Sequence, residues 1–182
     1  MTREIIVGVT GGIAAYKTAG LVSDLVQSGL GVTVVMTASA KRFVGPATYR
    51  ALTGRSVASR RFDSTEYPLG PHIEVARRAE LLCVAPATAG FLAKAACGAA
   101  DDLLSTLLLS FSGTVVMAPA MNSEMWSKPA VQRNVAQVRE DGVQIVDPQE
   151  GWLSCRDRGV GRMASPEDIA ATIHRLLSQS SK

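Results

Sequence analysis

The chain has 182 residues, of which 47% are apolar and 19% charged, with a net charge of +3. It is long enough for one α/β domain with a full core and too apolar for a disordered chain. Its lysines and arginines are scattered rather than gathered in one stripe, which argues against nucleic acid as a partner.

Glu4–Val9 reads as a short buried strand and ends in Thr10-Gly11-Gly12. Apolar residues at helical spacing follow (Ile13, Tyr16, Ala19, Leu21, Val22, Leu25, Val26), and Gly29 closes that helix. Val32–Met36 is a second strand, continuously apolar as strands covered on both faces are. Thr37-Ala38-Ser39 then leads into a helix through Phe43, and a short helix is expected near Pro46–Leu52. Residues 54–71 read as irregular, and Pro71-His72 opens another helix.

Ala79–Val84 is a third strand, followed by Ala85-Pro86-Ala87-Thr88 and helical patterns over about 88–97 and 101–111. Thr114–Met117 is the fourth strand and leads into the segment MAPAMNSEMW. A helix over about 128–141 and a fifth strand, Val143–Val146, come next. Residues 148–163 are glycine-rich, and Ser165-Pro166-Glu167-Asp168 starts a last helix that runs to about 178.

Strands alternating with helices predict a single-domain Rossmann-like α/β fold over residues 1–182: a three-layer sandwich with a mostly parallel sheet and helices on both faces. Ligands of such sheets bind outside the carboxyl ends of the strands. All five of those ends are small, hydroxylic or glycine-rich, so topology alone predicts one crevice.

Cys83, Cys97 and Cys155 have no CxxC spacing, and neither a disulfide framework nor a bound metal is expected. No stretch approaches the roughly 18 apolar residues of a membrane helix, and the N-terminus does not read as a signal peptide. A cytoplasmic protein with no membrane contact is the expectation.

Thr10-Gly11-Gly12-Ile13 is either a plain tight turn or a phosphate-binding turn at a helix N-terminus. A dinucleotide fingerprint would need G-x-G-x-x-G and an acid at the end of strand two. Met36-Thr37-Ala38-Ser39 offers hydroxyls instead, which favours a mononucleotide such as FMN.

GGIAAYK (11–17), TASAKRF (37–43), Pro71-His72, APATAGFLAKAACGAADDLL (85–104), PAMNSEMW (119–126) and GWLSCRDRGVGRM (151–163) together resemble the flavin-containing cysteine decarboxylases. The resemblance covers about residues 3 to 175. It implies FMN-dependent decarboxylation of 4′-phosphopantothenoylcysteine to 4′-phosphopantetheine in coenzyme A synthesis, through a thioaldehyde and an enethiolate. The implied partners are a small phosphorylated cysteine conjugate and further copies of the chain, as a trimer or a dodecamer. The leucine-rich helix Asp101–Phe111, apolar on more than one face, suggests such a contact. Since the chain ends soon after the last helix, the next enzyme of the route is expected on a separate protein.

The resemblance implies that Gly11, Gly12, Ser39, Phe43, Thr88 and Ala120 contact FMN. Gly90 departs from it, standing where the family usually has a polar side chain. His72 is the implied base of the oxidative half; a loop histidine is the alternative. Asn122 is the implied donor to the substrate carboxylate, or a helix N-cap, or both. Met121, Met125 and Trp126 read as pocket wall or subunit contact, with Met125 and Arg162 as substrate contacts. Cys155, flanked by Arg156 and Arg158, is the implied proton donor of the reductive half, carried on a substrate lid at about 148–163. Cys83 and Cys97 read as core residues and His174 as a surface residue.

A peptide-cysteine decarboxylase that stops at the enethiol would share His72, Asn122 and the flavin without needing Cys155. A flavin prenyltransferase would lack PAMNSEMW, and a non-catalytic flavin-binding relative would not need the complete set.

Overall fold

The computed structural model describes residues 2–59 and 69–179. Its main sheet has five parallel strands in the order β2-β1-β3-β4-β5: β1 (Glu4–Val9), β2 (Gly31–Met36), β3 (Leu81–Ala87), β4 (Thr114–Pro119) and β5 (Gln144–Ile145). The expected three-layer α/β sandwich is therefore the fold. β2 starts one residue earlier than expected and β4 continues to Pro119, while β3 and β5 depart further. β3 starts at Leu81 and continues through Pro86 to Ala87, its register with β4 shifting between Val84 and Ala87. β5 shrinks to two residues because only Gln144 and Ile145 pair with β4.

Alternation along the strands sorts the core into two layers. Ile5, Val7, Val9, Leu81, Cys83 and Ala85 face one side, packed with buried residues of α1 (Ala15–Gln27), α2 (Pro46–Thr53) and α8 (Pro166–Gln179). Ile6, Leu82, Val84 and Met117 face the other, against α3 (Pro71–Arg78), α4 (Ala89–Cys97), α5 (Leu103–Ser110) and α7 (Pro129–Glu140). At about 1.5–3 kcal/mol for each large side chain buried, these two layers supply most of the drive to fold. Gly8 lets α5 approach: a Cβ there would lie 2.6 Å from a Leu104 methyl.

Of the segment read as irregular, Ala58 bridges Val35 and extends the sheet past β2, while residues 60–68 lie outside the described residues. Two further elements complete the chain, the first of them a helix that the N-cap reading of Asn122 allows. A short helix, α6 (Ser123–Ser127), follows β4, and the glycine-rich stretch is an antiparallel hairpin of β6 (Gln149–Trp152) and β7 (Arg158–Arg162). Cys83 is buried, and that burial pushes its thiol up to about 12. Cys97 sits at the end of α4 and is exposed, a correction to its reading as core. His174 is exposed as expected. Among the described residues no helix is long and apolar enough to cross a membrane.

Candidate active site

β1, β3 and β4 all end at one edge of the sheet, and a cavity of about 610 Å³ opens there. Its wall draws Gly11 and Gly12 from the turn after β1, Thr88 to Gly90 from the turn after β3, Ala120 to Asn122 from the turn after β4, and Trp152 to Ser154 and Gly161 to Met163 from the hairpin. The turn after β2 contributes indirectly. Ser39 packs so closely on Gly11 that a Cβ at Gly11 would collide with it, which requires glycine at that position.

One buried hydroxyl ties two of these turns together. Thr10 donates to the Pro86 carbonyl at 2.6 Å and accepts the Thr88 N–H at 3.1 Å. Thr88 in turn caps α4, its hydroxyl accepting the Phe91 N–H at 3.3 Å. Beneath them, Thr18 of α1 donates to the Ala85 carbonyl at 2.8 Å. The turns are thus fixed by the buried hydroxyls of Thr10 and Thr18 together with the half-buried Thr88.

Asn122 is a helix N-cap, one of the readings open from its sequence position. Its Oδ1 accepts the Met125 N–H at 2.8 Å and so caps α6, while Nδ2 has no partner among the described residues. The cap consumes the acceptor and leaves the donor. The hairpin is docked onto this turn by the Met121 N–H, which donates to the Gly161 carbonyl at 3.0 Å. A side chain on Gly161 would strike the Met121 carbonyl, and its φ of 149° also favours glycine. Cys155 stands at the hairpin tip, exposed, one residue beyond the wall residue Ser154. The Leu153 N–H closes that tip by donating to the Asp157 carbonyl at 2.9 Å. The segment expected as a lid is thus an antiparallel hairpin with a docked base and a folded tip.

Gly11, Gly12, Thr88, Ala120, Asn122, Met125 and Arg162 therefore share the cavity wall. Phe43 is 48% exposed and is not part of that wall. Neither is His72, which lies in the first turn of α3; its carbonyl accepts from the Ser110 hydroxyl of α5 at 3.3 Å. Its Nδ1 is buried and has no partner among the described residues. Trp126 packs with the second core layer, whereas Met121 and Met125 do line the cavity.

Sequence reasoning passed over Ile13, Tyr16 and Lys17. Ile13 and Tyr16 follow the helical period, yet they are 55% and 61% exposed and belong to the wall. The buried stripe of α1 is instead Ala15, Thr18, Leu21, Val22 and Leu25. Two large apolar side chains in the first turn after a glycine turn were the available signal.

A flavin mononucleotide fits this wall. The thirteen-residue helix α1 starts beside Gly11 and Gly12 on the cavity wall, and the positive end of its dipole suits a phosphate there. Ser39 makes no side-chain capping bond, so its hydroxyl is free for the same group. Ile13, Met121 and Met163 offer apolar surface for a ring. At Gly90 a Cβ would meet nothing within 4 Å, so the missing polar side chain leaves open space.

A flavoprotein family model matches residues 1–178. The bifunctional coenzyme A biosynthesis protein CoaBC of Mycobacterium tuberculosis is 44% identical over 177 residues, which is 97% of this chain and 42% of that protein. The chain thus spans less than half the length of the curated relative it matches. Among solved structures, the FMN-dependent cysteine decarboxylase SpaF is 35% identical with a TM-score of 0.86, covering 100% of this chain and 98% of that one. A cysteine-to-serine mutant of PPC decarboxylase, complexed with pantothenoylaminoethenethiol, superposes with a TM-score of 0.90 at 27% identity, covering 98% of this chain and 100% of that one.

Proposed function

This chain belongs to the flavoprotein family, and on that premise we propose that it decarboxylates 4′-phosphopantothenoylcysteine to 4′-phosphopantetheine as a step of coenzyme A synthesis. The cofactor is FMN. When bound, it supplies the oxidant for the cysteinyl thiol and returns the same electron pair after CO2 has left.

The residues divide the remaining work. Gly11, Gly12 and Ser39 would hold the cofactor phosphate, and Thr88 and Ala120 would contact the rest of the flavin. Nδ2 of Asn122 donates to the substrate carboxylate. A neutral amide orients that group without the full positive charge that would hold it back from leaving. Met125 packs against the cysteinyl chain. Cys155 gives its Sγ proton to the carbon that carried the carboxylate, so the product is the saturated thiol rather than the enethiol.

His72 takes the thiol proton at the start. Its absence from the cavity wall of its own chain supports a site completed by a second copy, in which α3 of one chain serves the cavity of another. The exposed Leu109 on neighbouring α5 supports the same homo-oligomeric reading, as a trimer or a dodecamer.

The observation that carries the full reaction, rather than an oxidative decarboxylation that stops early, is the hairpin bearing Cys155 docked on the Asn122 turn. The test is to incubate the FMN-loaded protein with 4′-phosphopantothenoylcysteine and weigh the product. A mass lower by CO2 alone is expected. A further loss of two hydrogens would favour the oxidative-only reading, and an unchanged substrate would refute decarboxylation.

A further inference from the structure

Among the described residues the cavity wall carries two charged side chains, Lys17 and Arg162, and no carboxylate. Lys17 lies in the first turn of α1, while Arg162 ends β7 on the opposite, hairpin side. Neither has an ion-pair or hydrogen-bond partner among the described residues. Arg162 lies across its own hairpin, because Gly151 has no Cβ to obstruct it; such an atom would stand 3.0 Å from Cδ.

Burial holds the Lys17 amine below its ordinary pKa, and the positive charge of Arg162 lowers it further. The two cations therefore feel each other across the cavity, and nothing on the wall neutralises them. Such a pair is disfavoured when empty and is relieved by a dianion between them.

Two phosphomonoesters could supply that dianion, one on the flavin and one at the far end of the substrate. The turn of Gly11 with Ser39 and the start of α1 already provide a seat for the first. Arg162 follows Gly161, whose carbonyl docks on the turn that holds Asn122, so this cation belongs to the substrate side. The geometry points to Lys17 and Arg162 as a two-cation seat for the substrate's terminal phosphate, with Lys17 setting the preference for phosphorylated over unphosphorylated acyl-cysteines. The inference rests on the decarboxylase reading above.

The test compares kcat/KM for 4′-phosphopantothenoylcysteine and for unphosphorylated pantothenoylcysteine in the wild type, Lys17→Met and Lys17→Arg. Affinities of the same proteins for FMN and riboflavin are measured in parallel. Lys17→Met is expected to lower the phosphorylated-to-unphosphorylated ratio by about tenfold or more, the worth of one charge-assisted contact. Lys17→Arg should recover most of it by keeping the charge. A ratio unmoved in Lys17→Met, with both substrates losing equally, would overturn the inference. A fall in the FMN-to-riboflavin affinity ratio with substrate preference intact would overturn it too, by assigning the cations to the flavin. A wild type inert towards both thiols would refute the decarboxylase reading itself, and this inference with it.

Discussion

The two ends of the Asn122 amide are separable by substitution. Oδ1 caps α6 by accepting the Met125 N–H, and Nδ2, without a partner among the described residues, is the end proposed to meet the substrate. Aspartate caps a helix as well as asparagine does, but it donates nothing and brings a negative charge towards a carboxylate. Asn122→Asp is therefore expected to keep its unfolding free energy within about 0.5 kcal/mol of wild type. Its decarboxylation rate should fall by about two orders of magnitude or more, the usual cost of losing one directed donor. Urea unfolding and a CO2-release assay check the two halves, and a destabilised but active variant would contradict the assignment. Asn122 was legible in sequence because it stands at a strand end among bulky side chains. Thr10 was not legible as a hub: its hydroxyl joins the Pro86 carbonyl to the Thr88 N–H across more than seventy residues of chain. Lys17 was hidden for another reason, since a lysine on a helix ordinarily marks a solvated face.

At the scale of elements, the apolar strands and helical periods gave the main sheet and its flanking helices, because both signals come from burial on both faces of the sheet. The hairpin escaped for the opposite reason. Arg158 to Arg162 is a strand with little apolar alternation, held by backbone pairing and by contact with the Asn122 turn. Glycine there signals close approach rather than looseness: Gly159 would carry a Cβ into Ser123, and Gly161 would carry one into Met121. Gly8 in β1 has the same meaning against α5. Gly8→Ala is expected to cost about 1–3 kcal/mol through overpacking against Leu104, read as a lower urea midpoint at unchanged slope. No loss of stability would mean that α5 does not pack as closely as its Leu104 contact indicates.

At the scale of the whole molecule, one chain gathers the cofactor turns, Asn122 and the hairpin around a single cavity while His72 lies elsewhere. Sequence position gave no hint of that division, since spacing along a chain cannot distinguish a residue of its own site from one lent to a neighbour. If the site is shared, His72→Asn and Asn122→Asp each disable a different contributor to it. Mixed oligomers formed by co-expressing the two inactive variants should then regain activity that neither homo-oligomer has. Mixed oligomers that stay inactive would instead require His72 and Asn122 to act from the same chain.

The most direct test of the central claim, that the hairpin thiol completes a decarboxylation begun at the Asn122 turn, is the mass of the product released by Cys155→Ser. The FMN-loaded variant should turn 4′-phosphopantothenoylcysteine into the enethiol, two hydrogens lighter than the wild-type product. Formation of the saturated thiol at the wild-type rate would contradict the account.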